Sequence, residues 1–183
     1  IVIATLPDKN GQAFPGDAFL PWEEVQQSFP EQFWGRKEAY CLLVKKGQFY
    51  IVGTDRRGTV YGIYELSEML GVSPWYFWAD VPVYQKEEYR LEEGFCKADH
   101  PVVEYRGIFI NDEEELDHWV KLHMGEETIG VKTYEKVFEL LLRLKANYIW
   151  PAMHVNSFNM KKENGALADR MGIVVGTSHC DML

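Results

Sequence analysis

Short apolar runs alternate with turn residues through the first hundred positions, and the longer apolar patterns come after them. Ile1–Thr5 is a brief strand candidate that stops at Pro7. Tyr40–Val44 and Gln48–Val52 are β-rich runs joined through Lys45-Lys46-Gly47. That spacing predicts a hairpin, with Gly47 supplying a positive φ at no steric cost. Between Thr59 and Leu70 the apolar residues Val60, Ile63, Leu66, Met69 and Leu70 recur at helical spacing, until Gly71 ends the helix and Pro74 prevents its resumption. Strand, hairpin and helix together read as a small α/β layer.

The stretch Tyr84–His100 is charged and ends at Pro101, and it reads as a strand-bearing connector. The expected boundary falls near residue 100, dividing the chain into domains 1–100 and 101–183. Beyond it, Val102–Ile110 is an extended run followed at once by polar Asn111-Asp112-Glu113. A long helix is expected over Thr133–Ala146. Its buried stripe is Tyr134, Val137, Phe138, Leu141, Leu142 and Leu144, its cap Thr133, and Arg143 and Lys145 suit its C-terminal dipole. Tyr148-Ile149-Trp150 is the next strand, Gly165–Met171 a shorter helix stopped by Gly172, and Ile173-Val174-Val175 a third strand.

Strand, helix, strand, helix, strand in this rhythm predicts parallel strands joined by helical crossovers. The strands are apolar on both faces, as a helix-covered parallel sheet requires. A closed eight-unit barrel takes about 250 residues, so three strands fit either a small open sheet or the first part of a barrel. The fold class expected is therefore α/β: a small N-terminal α/β domain followed by the first three strands of a truncated (β/α)8 barrel.

Composition narrows the partners more than the fold. The 183 residues carry a net charge of −9, which leaves no broad basic surface for nucleic acid or an anionic membrane. No apolar run approaches the roughly 18 residues of a membrane span. Ile1 opens directly into apolar sequence, which suggests that an upstream segment is missing. Six Trp and ten Tyr furnish a large aromatic core or, alternatively, stacking platforms for sugar rings. The three cysteines, Cys41, Cys96 and Cys180, form no zinc pattern and no dense disulfide framework, although one bridge is open to them.

In a parallel α/β sheet the chemistry gathers at the carboxyl ends of the strands, where the following loops converge. Three such clusters are readable: Asn111-Asp112-Glu113, then His154, Asn156 and Asn159, then Ser178-His179-Cys180-Asp181. Asp112 is the strongest candidate, because a carboxylate there can orient a water, accept its proton or hold a sugar hydroxyl. Its plainer role is a helix cap. Glu113, Glu114 and Glu115 read as a solvated acidic run. His118 and His123 read as surface residues. His179, Cys180 and Asp181 suit a polar pocket better than a metal site, because alternate residues of a strand face opposite ways. Gly53-Thr54-Asp55-Arg56-Arg57-Gly58 lacks both phosphate-loop patterns, which disfavours a nucleotide-binding protein.

Gly53–Tyr64 continues into Leu66-Ser67-Glu68 and Gly71-Val72-Ser73-Pro74-Trp75. With Arg106–Glu113, Lys145–Met153 and Gly176-Thr177-Ser178-His179, this series resembles glycoside hydrolase family 115, the xylan α-1,2-glucuronidases. The resemblance implies a (β/α)8 barrel behind an N-terminal α/β domain, and removal of glucuronic or 4-O-methylglucuronic acid from xylan with inversion. It implies no metal and no organic cofactor, and a secreted or periplasmic location. By position it makes Asp112 the catalytic candidate and Asn111, Glu68, His154 and His179 substrate-binding candidates, with the general acid on a later strand. Glu68 would reach the same pocket or else be an exposed helix residue. A uronic acid also calls for a cation, for which Arg56, Arg57 and Arg106 are candidates.

Two positions depart from the family pattern. His154-Val155 stands where Trp-Gly is common, and Cys180-Asp181-Met182 where a second His and Glu-Pro-Met are common. These departures leave open a non-hydrolytic carbohydrate-binding or scaffold relative. The 183 residues alone are expected to lack glycosidase activity, with apolar faces uncovered and free to self-associate, and the parent enzyme to act on xylan-type polysaccharide or oligosaccharide, with homo-oligomers allowed.

Overall fold

The computed structural model describes residues 1–6, 21–111, 113–154 and 156–178, the side chains of Trp22 and Glu23 excepted. The chain divides into two compact units, Ile1–Val102 and Val103–Leu183.

The first unit is a four-stranded sheet in the order β1-β3-β2-β4. Its strands are β1 (Val2–Thr5), β2 (Tyr40–Lys45), β3 (Gln48–Gly53) and β4 (Cys96–Asp99). The hairpin β2–β3 forms as its sequence predicts, with Lys46 joining Gly47 at positive φ, 51° and 70°. Glu93 clasps the turn by accepting the backbone N–H groups of Lys46 and Gly47 at 2.7 and 2.9 Å. The connector's strand, β4, pairs antiparallel with β2 at the sheet edge.

Period-two alternation splits the side chains of this sheet between two covers. Cys41, Leu43, Tyr50 and Val52 pack with Val25, Phe29 and Phe33 from α1 (Trp22–Val25) and the turns after it. The opposite face meets α2 (Arg56–Met69), which begins three residues before the expected Thr59. The reason is Asp55: its carboxylate caps the helix through the N–H of Gly58 at 2.9 Å and also accepts the N–H of Glu38 at 2.7 Å. The glycines of the Gly53–Gly62 segment are packing devices. A Cβ on Gly53 would sit 2.1 Å from the Thr59 backbone nitrogen, and one on Gly58 would sit 2.2 Å from the Ala39 carbonyl oxygen.

The second unit holds three parallel strands in the order β5-β6-β7, namely β5 (Gly107–Phe109), β6 (Tyr148–Trp150) and β7 (Val174–Val175). The extended run predicted from Val102 narrows to these three residues of β5. Before it, the Arg106 guanidinium donates to the carbonyls of Lys145, Val103 and Glu104 at 2.8, 2.6 and 2.9 Å. Buried Asn147 completes the anchor, donating to the Glu104 carbonyl and accepting the Arg106 N–H. Arg106 is thereby a structural tie between the approaches to two strands.

Helix α4 (Val131–Arg143) buries Tyr134, Val137, Phe138, Leu140, Leu141 and Leu142, while Leu144 lies past its end and is exposed. Thr133 is inside the helix and does not cap it. Glu126 does so from outside, accepting the N–H groups of Lys132 and Thr133 at 3.1 and 3.0 Å and the Thr133 hydroxyl at 2.8 Å. Helix α5 (Lys162–Met171) ends at Gly172 in the left-handed region, φ 73°. An unforeseen helix, α3 (Glu114–His123), precedes α4. Its acidic first turn and its Lys121 and His123 at the end suit the helix dipole.

Candidate functional site

In the second unit the loops after β5 and β6 leave their strands at the same, carboxyl edge. Ile110 continues the ladder by donating its N–H to the Trp150 carbonyl at 2.9 Å, which brings Glu113 beside Met153, His154 and Asn156. The two loops and α3 surround an open cavity of about 540 Å³ lined by Asn111, Glu113, Glu114, Asp117, His118, His154 and Asn156.

Glu113 organises this cavity. It is 6% exposed, and its Oε1 accepts the backbone N–H groups of Met153 and His154 at 2.6 and 2.8 Å. Its Oε2 accepts that of Asn156 at 3.3 Å. A buried carboxylate is tolerated when several donors converge on it, and here the donors are a folded-back loop. Asp117, one turn into α3, repeats the device. Its Oδ1 accepts the Asn156 side-chain amide at 3.1 Å and the Ile129 N–H at 3.0 Å. Behind the loop, the Tyr134 hydroxyl accepts the Ala152 N–H at 3.2 Å. Burial raises the Tyr134 phenol pKa, and the charge of Glu113 adds to the effect.

The sequence candidates are distributed as follows. Asn111 and His154 are exposed and both line the cavity. Asp112 and His179 lie outside the described residues, as do Cys180 and Asp181. Glu68 is an exposed residue of α2 in the first unit, one turn beyond buried Glu65. Glu65 accepts the Tyr40 hydroxyl at 2.7 Å and pairs with Lys97. Burial, followed by the hydrogen bond and charge of Glu65, pushes the Tyr40 phenol up. The hydrogen bond to Glu65 raises Lys97.

Among the cation candidates, Arg106 is engaged by backbone carbonyls, and Arg57 pairs with buried Glu38 at 2.6 Å. Arg56 is exposed at the start of α2. His118 and His123 are exposed on α3, His123 stacked on Trp119, and His118 also faces the cavity. Among the described residues no group of three or more His, Cys, Asp and Glu side chains is placed to hold a metal ion. Nor is any described helix long and apolar enough to cross a membrane.

Sequence reasoning passed over Glu113, which stands in an acidic run and looks solvated. The available signal was α3 itself. A helix starting at Glu114 places Glu113 at its N-cap position, and Val120 and Asp117 on the side that faces inward.

Comparison with known proteins adds the chemical context. Glycosyl hydrolase family 115 matches residues 98–183. A solved structure described as a family GH115 4-O-methyl-α-glucuronidase with specificity for decorated arabinogalactans is 44% identical in sequence, with a TM-score of 0.78. The match covers 86% of this chain and 22% of that one, so the chain spans about a fifth of the length of this relative. No curated protein matches the chain.

Proposed function

The chain belongs to glycosyl hydrolase family 115, and on that premise we propose that it forms part of an α-glucuronidase. The enzyme releases glucuronic or 4-O-methylglucuronic acid, α-1,2-linked to xylan-type polysaccharide or oligosaccharide, outside the cytoplasm. The observation that carries this reading is the polar cavity at the carboxyl ends of β5 and β6. It is built from adjacent parallel strands, at the edge where α/β enzymes assemble their sites. The parallel order β5-β6-β7 and the exposed apolar side chains Ile108, Phe109 and Trp150 fit the opening of a (β/α)8 barrel that further strands would cover.

In this reading Asn111 and His154 hold sugar hydroxyls by their amide and imidazole groups. Asp112 serves as the general base or orients the attacking water. An inverting mechanism separates base and acid by roughly 6.5–9.5 Å so that a water fits between base and anomeric carbon. The acid is assigned to a strand beyond the three described. His179 is a further substrate-contact candidate, on the strength of the family resemblance.

A second reading concerns the main chain of the glycan. The solved relative is described as specific for decorated arabinogalactans, and His154 stands where a Trp would offer a stacking face. The full-length enzyme, incubated in parallel with glucuronoxylan and with glucuronidated arabinogalactan, distinguishes the two by the uronic acid released from each. Asp112→Ala is expected to lower turnover on the preferred glycan by about 10²–10⁴-fold. Unchanged turnover would remove Asp112 from the mechanism, and binding without release from any glycan would favour the non-hydrolytic relative.

A further inference from the structure

Cys41 and Cys96 lie on neighbouring strands of the first unit, with their sulfur atoms 3.7 Å apart. In the β2–β4 ladder Leu43 stands opposite Cys96 and Cys41 opposite Ala98, so the two cysteines are diagonal neighbours on one face of the sheet. Both are free thiols. Cys41 is fully buried under the cover that contains Phe29 and Phe33, whereas Cys96 is exposed beside the Ser28 carbonyl. The pair thus has one member that reagents reach and one that waits directly beneath it.

We propose that Cys41 and Cys96 form a disulfide bond when the protein meets a disulfide donor, cross-linking the edge strand β4 to the interior strand β2. The exposed Cys96 thiolate attacks the donor disulfide and expels one thiol, leaving a mixed disulfide on Cys96. Cys41 gives up its proton, attacks the Cys96 sulfur and expels the second thiol. The balance is two protein thiols plus one donor disulfide giving one protein disulfide plus two donor thiols. Closure from 3.7 Å to a bonded distance of about 2.0 Å requires less than 2 Å of travel between the sulfur atoms. Burial raises the pKa of the Cys41 thiol, which leaves the first attack on the donor to the exposed Cys96.

The bond would matter because of where β4 sits. It has only four residues, lies at the sheet edge, and follows a segment from Gly71 to Phe95 that contains no helix or strand. It is also the last strand before the second unit begins at Val103. A cross-link between residues 55 apart restricts the unfolded chain over that whole loop.

The test is to treat the purified full-length protein with oxidised glutathione, block remaining thiols, digest with trypsin and examine the peptides without reduction. Residues Glu38–Lys45 and Leu91–Lys97 should appear as one linked species that dithiothreitol separates. The thermal midpoint of the first unit should fall by about 5 °C or more on reduction, and Cys96→Ser should abolish that difference. Cys180→Ser should leave the link intact. Recovery of the two peptides unlinked after oxidation, or linkage of either one to Cys180, would overturn the assignment.

Discussion

The carboxylate of Glu113 accepts the backbone N–H of His154 at 2.8 Å, so the loop after one strand is held by the loop after its neighbour. Two more backbone donors, from Met153 and Asn156, share the same carboxylate. Glu113 thus lines the cavity as the acceptor that holds the neighbouring loop. It fixes the path of the segment that presents His154, and the shape of the site depends on it. Glu113→Ala leaves three loop N–H groups without their acceptor, at least one of them buried with Met153. We expect it to cost about 2–4 kcal/mol in urea denaturation. Glu113→Gln, which keeps one acceptor oxygen, should recover part of the loss. Equal stability of the Ala variant and the parent would mean that the loop is held by other contacts.

Glu126 plays a comparable part at the start of α4, where it serves two backbone N–H groups and the Thr133 hydroxyl. Substituting an N-terminal capping acceptor by Ala costs about 0.5–2 kcal/mol. Glu126→Ala should fall in the upper half of that range, because three donors lose their partner together. Thr133→Val, which removes only the hydroxyl, should cost less. The reverse order in chemical denaturation would return the capping role to Thr133.

Alkaline stability offers a separate check on the buried phenols of both units. The phenols of Tyr40 and Tyr134 are both pushed above their ordinary value near 10 by burial, and Lys97 is raised by its hydrogen bond to Glu65. Each group holds its proton more tightly folded than unfolded. Its contribution is therefore complete below the unfolded value and is lost as pH rises through the window between the two. Stability should stay level up to about pH 9.5 and fall above about pH 10. Tyr40→Phe should reduce that slope by up to about 1.4 kcal/mol per pH unit. Identical slopes in parent and variant would show that Tyr40 is not the titrating group.

The strands and long helices were readable because their signals are local. Hairpin β2–β3 follows from two β-rich runs around Lys46-Gly47, and α4 from its apolar stripe. What the pattern hid were residues whose partners lie far along the chain. Asp55 looks like part of a glycine-flanked loop, yet it caps α2 and holds Glu38, 17 residues away. Arg106 reads as a cation for a uronic acid, but its Nε and Nη1 donate to the carbonyls of Lys145, Val103 and Glu104. Helix α3 was masked by its own start, since Glu113, Glu114 and Glu115 look solvated when counted as charges. Only Glu113 is buried, and its donors come from 40 to 43 residues downstream. The catalytic proposal for Asp112 rests on the sequence, whereas the cavity rests on the geometry of Asn111, Glu113 and His154.

Two glycines separate packing from propensity. Gly58 lies in the first turn of α2, and a Cβ there would come within 2.2 Å of the Ala39 carbonyl oxygen and 3.1 Å of the Glu38 carbonyl carbon. Both neighbours are backbone, so relief requires α2 to separate from the segment that leads into β2. Gly165, in α5, has open space around the same position. Intrinsic propensity favours Ala over Gly in a helix by about 0.5–1 kcal/mol, and at Gly165 nothing opposes it. Gly165→Ala should therefore stabilise the protein by that amount. Gly58→Ala should destabilise it by about 2–4 kcal/mol, because overpacking outweighs the propensity gain. Opposite signs for one chemical change would place the cause in the contact with Ala39. A stabilised Gly58→Ala variant would mean that α2 stands further from the hairpin than 2.2 Å implies.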